Sequence, residues 1–116
     1  MNTLTDREIV ERFESLMNTI AKEVADTIWS QITMSNKMAC GMRDLGYGEI
    51  GQRPFLKMKV TIKPATNNHL IIFLDASDTY TVELIKIRAG KVTIQSSLND
   101  IYVGNLNEVI YSICNQ

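Results

Sequence analysis

The stretch Phe55-Leu-Lys-Met-Lys-Val-Thr-Ile-Lys63 alternates between apolar and polar side chains from Leu56 onward. Successive side chains of a β-strand point to opposite faces of its sheet, so the apolar residues share one face and the lysines share the other. The pattern therefore predicts a half-buried strand over residues 55–63. Its apolar face consists of Leu56, Met58, Val60 and Ile62.

Further strands are predicted on both sides of this stretch. Residues 69–75 are apolar on both faces, and residues 80–88 alternate again. Ala89-Gly90 is typical of a tight hairpin turn, which would lead into a strand over residues 91–96. Weaker alternation predicts one more strand over residues 37–43. Because the connections are short, we expect an antiparallel sheet of four or five strands.

A change of hydrophobic period from 2 to 3.6 marks a helix at each end of the sequence. Residues 5–32 begin with a capping box, in which Thr5 is the cap and Glu8 completes the motif. Residues 102–114 place their apolar side chains on one helical face. The sequence thus predicts a single α+β domain with an N-terminal helix (1–33), an antiparallel sheet (35–97) and a short C-terminal helix (100–114).

The N-terminal helix is longer than a sheet of this size needs. At 1.5 Å per residue it would measure about 40 Å. Its apolar stripe runs along the whole length. The stripe consists of Ile9, Phe13, Leu16, Ile20, Val24 and Ile28. We expect part of this stripe to meet a second copy of the chain in a homodimer, since two-fold dimers are the commonest assemblies.

Composition and cysteine usage indicate the class of protein. The sequence is 45% hydrophobic and 22% charged, and no apolar run approaches the roughly 18 to 20 residues that span a bilayer. We therefore expect a cytoplasmic protein with no membrane partner. Cys40 and Cys114 form no C-x-x-C motif, which predicts reduced thiols packed as small core residues.

Gly46-Tyr-Gly-Glu-Ile-Gly51 matches the G-x-G-x-x-G pattern of phosphate-binding loops. A dinucleotide site requires a helix to begin within that motif, because the helix N-terminus holds the pyrophosphate. Here Pro54 and a lysine-bearing strand follow instead. The motif is therefore interpreted as a surface loop.

Two other groups of residues have the chemistry of a site. Asp75 and Asp78 could present two carboxylates to a cation, but no third acidic ligand is near them in sequence. Aspartates also initiate turns through their own side chains. His69 is the single histidine and has no neighbouring Cys or His at ligand spacing. The sequence predicts neither catalytic residues, nor a metal site, nor a cofactor, and thus no enzyme.

The charge distribution indicates a second kind of function. Residues 34–97 hold nine basic and five acidic residues, although the whole chain has a net charge of −1. Strand lysines and arginines would form a basic stripe opposite the helices, beside two aromatic rings on which bases can stack. The candidate binding residues are Lys57, Lys59, Lys63, Lys86, Arg88, Lys91, Phe55 and Tyr80. The alternative is a solvated outer face whose lysines discourage edge pairing.

Two segments resemble a group of small uncharacterised phage and prophage proteins. They are Asp78-Thr-Tyr-Thr-Val-Glu-Leu-Ile-Lys-Ile-Arg-Ala-Gly90 and Asn99-Asp-Ile-Tyr-Val-Gly-Asn-Leu106. The family pattern is similar to D-x-Y-x-V-x-x-x-x-I-R-G followed by G-x-Y-A-D-x-L, and Asn36-Lys-Met-Ala39 extends the match. This chain departs from it by inserting Ala89 and by replacing the Ala-Asp pair.

The resemblance implies a phage protein that works in the cytoplasm of an infected bacterium. Small phage proteins of this kind often block or redirect host components by binding them. The leading hypothesis is a non-enzymatic protein that inhibits a host protein or complex, such as a defence complex, by protein-protein contact. The alternative hypothesis is a module that binds single-stranded DNA or RNA through the basic sheet face.

Overall fold

A computed structural model describes residues 5–62 and 65–115 and confirms the predicted α+β fold. A long helix precedes a five-stranded antiparallel sheet, and a short helix follows it. The elements are α1 (Asp6–Gln31), α2 (Met34–Ala39), β1 (Arg43–Ile50), β2 (Arg53–Ile62), β3 (Ala65–Leu74), β4 (Tyr80–Arg88), β5 (Lys91–Ile101), a 3-10 turn (Val103–Asn105) and α3 (Leu106–Cys114).

The strands follow one another in the sheet in chain order, β1-β2-β3-β4-β5, and each pairs antiparallel with the next. Ala89 and Gly90 turn β4 into β5 with φ angles of 52° and 77°. Two consecutive positive φ angles are the signature of a type I′ hairpin turn, whose twist matches that of the strands. The hairpin predicted at these two residues is confirmed.

The main core lies between the helices and one face of the sheet. The predicted apolar face of β2 is confirmed, because Leu56, Met58 and Val60 are buried there and Ile62 packs at its edge. Ile28 of α1 is also fully buried in this core. Each fully buried Leu or Ile side chain contributes roughly 1.5 to 3 kcal/mol. The remaining buried members include Ala25, Ile32, Leu70, Ile72, Val82, Leu84, Leu106, Ile110 and Ile113.

The strand predicted over residues 37–43 is wrong, because residues 34–39 form α2. Thr33 caps this helix by accepting a hydrogen bond from the backbone N–H of Asn36 (3.2 Å). The buried Asn36 amide donates to the backbone and side-chain oxygens of Asn107 at 3.0 and 3.1 Å. A helix cap and these contacts with α3 outweigh a weak alternation.

The glycine motif also differs from its interpretation as a surface loop. Residues 46–50 belong to β1, and only Gly51 lies in the turn that leads to β2. A Cβ atom at Gly48 would lie 2.8 Å from Cζ of Phe55, so this glycine lets the ring lie against the backbone of β1. The motif therefore has a structural explanation in strand packing.

The expectation of two reduced cysteines is corrected, since Cys40 and Cys114 form a disulfide. Their Cα atoms are 5.7 Å apart, although 74 residues separate them in sequence. Cys40 ends α2 and Cys114 ends α3. The bridge joins these two helices because both pack at one end of the main core.

Candidate binding surfaces

The N-terminal half of α1 projects past the sheet. Thr5 starts the helix as predicted, with its hydroxyl accepting from the N–H of Glu8 at 3.3 Å. Among the α1 side chains that the structure describes, the first buried one is Ala21, followed by Ala25 and Ile28. Only the C-terminal half of α1 therefore packs against the sheet, and the excess helix length predicted from the sequence is present.

The projecting half exposes large apolar side chains. We name three of them the α1 stripe: Ile9, Leu16 and Ile20, with exposed fractions of 50%, 56% and 39%. The Phe13 side chain lies outside the described residues. Exposed apolar residues are ordinary when scattered singly, but a contiguous group marks an interaction surface.

The α1 stripe does not continue the buried face of the helix. At about 100° per residue, Ile9, Leu16 and Ile20 lie within roughly 40° of one another around the helix axis. The buried residues Ile28 and Ala25 lie roughly 100° and 160° away from that direction. The helix thus has two apolar faces, and its own sheet covers one of them.

The face of the sheet opposite the helices holds a smaller apolar cluster made of strand residues alone. Ile71, Phe73 and Ile85 are buried in it, and Phe55 packs against them. The rings of Phe55 and Phe73 meet edge to face with their centroids 5.6 Å apart. The Arg53 guanidinium lies 4.2 Å above the Phe73 ring. We call this side of the sheet the open face.

The basic residues that were predicted to form one stripe lie on two different faces of the sheet. Lys57 and Lys59 do lie on the open face, where they pair in register with Ile71 and His69 of β3. Lys86 and Arg88 instead share the helix-bearing face with Leu84, because they differ from it by even numbers of residues. Lys91 pairs with Arg88 across the hairpin and lies on the same side. Lys63 lies outside the described residues.

The predicted aromatic pair is divided as well. Tyr80 is buried in the main core, where its hydroxyl donates to the Gln31 side chain at 2.6 Å. Burial raises the pKa of Tyr80. Phe55 is half-buried on the open face. Tyr80 is therefore not available for stacking beside Lys57 and Lys59, and the expectation of one continuous platform is wrong.

The open face brings together basic residues from three strands that the sequence pattern did not connect. In register, Arg43 of β1 pairs with Lys59 of β2, which pairs with His69 of β3. We call Arg43, Lys57, Lys59 and His69 the open-face basic cluster. Burial lowers the pKa of His69 from its ordinary value, and Lys57, Lys59 and Arg43 lower it further.

Asp75 has a structural explanation. One of its oxygens accepts from Arg53 Nε at 2.8 Å and the other accepts from the Thr81 hydroxyl at 2.6 Å. Asp78 lies in the turn that follows, with a φ angle of 60°. Among residues 5–62 and 65–115, no three His, Cys, Asp or Glu side chains are grouped as metal ligands would be. The absence of tight metal, nucleotide or cofactor binding stays a prediction.

No family model, curated protein or solved structure matches the sequence. Within the described residues, the helices lack the length and apolarity that crossing a membrane requires. The function is therefore argued from the two surfaces themselves, the α1 stripe and the open face.

Proposed function

We propose that this protein is a non-enzymatic binding protein that acts by protein-protein contact through the α1 stripe. One observation supports the proposal most directly: Ile9, Leu16 and Ile20 form an exposed apolar face that is separate from the face packed on the sheet. These three residues are not needed for the core, because they do not pack in it. An exposed apolar face of this kind is what contact with a partner protein uses.

The spacing of these residues fits recognition of a helix by a groove. Ile9, Leu16 and Ile20 repeat at intervals of seven and four residues, the intervals at which a helix inserts successive anchors into an apolar groove. Burial of apolar surface contributes about 25 cal/mol per Å². The projecting half of α1 can therefore supply affinity while the sheet domain holds it in place.

The charge of the projecting half indicates which partner it would bind. Residues 5–20 hold four acidic and two basic residues. A second copy would bring two acidic helices together, whereas a groove with a basic rim would complement the charge. We therefore infer that a different protein covers the α1 stripe. This partner would have an apolar groove with basic residues at its edge.

A host component, such as a defence complex, is the partner that the resemblance to phage proteins favours. In that proposal the protein blocks or redirects its target by occupying the groove. The homodimer expected from the sequence would use the same stripe. The test below therefore also detects a second copy of the chain bound there.

The test compares two variants that introduce the same charge on α1. Leu16→Glu places it in the stripe, and Asn18→Glu places it two residues away on an exposed position of the opposite side. A partner is first isolated from nuclease-treated bacterial lysate and purified. Its affinity for the parent and both variants is then measured by calorimetry, with circular dichroism to check the fold.

We expect Leu16→Glu to weaken binding by tenfold or more, corresponding to about 1.4 kcal/mol, and Asn18→Glu to change it by less than threefold. Equal affinities for all three proteins would exclude the stripe as the contact. Light scattering supplies the other outcome: a concentration-dependent dimer abolished by Leu16→Glu would assign the stripe to a second copy.

A further inference from the structure

The open-face basic cluster collects four basic side chains from three neighbouring strands. Arg43, Lys59 and His69 are successive cross-strand partners, and Lys57 lies two residues from Lys59 on the same face of β2. Neighbouring strands are about 4.8 Å apart, so the three partners span roughly 10 Å. Side chains at this spacing can reach one anion together.

Arg43 is held in place by hydrogen bonds, and His69 is buried. Arg43 Nη1 donates to the backbone oxygen of Gly41 and to the hydroxyl of Thr61, both at 2.9 Å, which leaves the rest of its guanidinium available. His69 is only 9% exposed, and its Nδ1 is buried without a hydrogen-bond partner among the described residues. Buried polar atoms in proteins nearly always have a partner, so this nitrogen needs an explanation.

The acidic groups that share this face do not neutralise the cluster. Asp44 of β1 lies 3.4 Å from Lys59, but both side chains are about half exposed, and such pairs interact weakly in water. Glu83 of β4 lies on the same face, beyond Ile71 from Lys57. Arg43, Lys57 and Lys59 therefore exceed Asp44 and Glu83 by one positive charge, and the Asp75 carboxylate is already paired with Arg53. The apolar neighbours Ile71 and Ile85 strengthen the field of the cluster.

We propose that the open-face basic cluster binds a phosphate group. A guanidinium fork with two ammonium groups is the side-chain chemistry that recognises phosphate oxygens, and the imidazolium form of His69 would add a fourth donor. The phosphate can be free, part of a nucleotide or part of a single-stranded backbone. The site is independent of the proposed protein contact, because it lies on the face of the sheet opposite α1.

The test uses two double variants that remove the same charge from different faces. Lys57→Gln/Lys59→Gln alters the cluster, and Lys86→Gln/Lys91→Gln is the matched control on the helix-bearing side. Each protein is titrated by calorimetry with inorganic phosphate, a nucleoside monophosphate and an eight-residue oligothymidylate. Measurements are made at about 50 mM and 200 mM salt, and thermal melting confirms that each variant is folded.

We expect at least one phosphate-bearing probe to bind the parent, with a tenfold loss in the cluster variant and less than a threefold loss in the control. In the parent, the bound probe should raise the pKa of His69, which NMR of its ring proton measures directly. Binding of the small probes alone would assign the site to a phosphometabolite. Oligonucleotide binding that weakens steeply with salt would assign it to a nucleic-acid backbone.

Two results would overturn the proposal. One is the absence of binding by all three probes at millimolar concentration. The other is an equal loss in both double variants, which would show that the phosphate responds to the overall charge of the protein and not to the cluster.

Discussion

The two halves of α1 carry similar apolar periodicity but have opposite surroundings. The C-terminal half packs on the sheet through the small residues Ala21 and Ala25 together with Ile28, whereas the N-terminal half exposes the larger Ile9 and Leu16. Small side chains allow a helix to approach a sheet closely, and large ones at the surface leave apolar area for a partner. Small side chains therefore mark the half of α1 that packs on the sheet, and the projecting half is the one that we propose binds a partner.

The two faces of the sheet show a related contrast. The helix-bearing face is covered by α1 and α3. The Cys40–Cys114 disulfide links the end of α2 to the end of α3 on the same side. The open face has a smaller cluster centred on Phe73, with basic residues around it. Stability should therefore depend on the covered regions, and binding should depend on the uncovered ones.

The largest effect should come from the disulfide on the covered side. Closing a loop of this length restricts the unfolded chain, and the chain-entropy relation assigns about 4 kcal/mol to it. We expect Cys114→Ser to lower the free energy of unfolding by a value of that order, measured in urea without reductant. Dithiothreitol should lower the parent to the same stability and leave the variant unchanged.

If mass spectrometry of the purified parent found two free thiols, the effect of dithiothreitol would vanish. The comparison between the two faces would then rest on packing alone. Where the disulfide is present, hydrogen exchange would show which region loses stability on reduction. We expect faster exchange in α3 and little change in residues 6–20 of α1, which lie away from the disulfide.

A smaller effect should separate the two halves of α1 directly. Ile28→Ala removes a fully buried side chain and should lower the free energy of unfolding by about 3 kcal/mol, because it leaves a cavity in the core. Leu16→Ala, on the exposed half, should change it by less than about 0.5 kcal/mol. Urea titrations of both variants beside the parent measure the difference.

This pair of variants can contradict the comparison in one clear way. A loss at Leu16 similar to that at Ile28 would mean that the N-terminal half is already packed against something in solution. Repeating the titration at several protein concentrations identifies a second copy as that partner, because stability would then rise with concentration.

Much of the fold could be predicted because it follows from period and local turn chemistry. The period of 2 from Leu56 to Ile62 identified the core face of β2, and Ala89-Gly90 identified the last hairpin. The same parity assigns Lys86 to the face of Leu84. The single basic stripe was therefore an error in applying the pattern, and the information was present in the sequence.

Other features depend on contacts that no local pattern contains. The Thr33 cap of α2 is local, but the contacts that hold this helix join Asn36 to Asn107, 71 residues away. The disulfide forms because α2 and α3 end beside each other. His69 joins Lys59 only through the register of β2 with β3. A lone histidine between Asn68 and an apolar run gives no indication of that neighbourhood, so the open-face basic cluster cannot be predicted from the local sequence.

The smallest expected effect concerns the open face and depends on pH. His69 has a folded-state pKa below its ordinary value of 6.5, because burial and the nearby Lys57, Lys59 and Arg43 disfavour the charged imidazolium. Well above pH 6.5 the ring is neutral in both states and contributes no pH dependence. As the pH falls below 6.5, the unfolded chain takes up a proton that the folded protein does not, so stability should fall.

Thermal melting from pH 7.5 to 5 should show this loss of stability in the parent, and His69→Gln should reduce it. Lys86→Gln, which removes a charge from the helix-bearing face, serves as the control and should retain the slope of the parent. Melting curves with the same slope in His69→Gln and the parent would place the pH dependence elsewhere and remove the distinction drawn between the two faces.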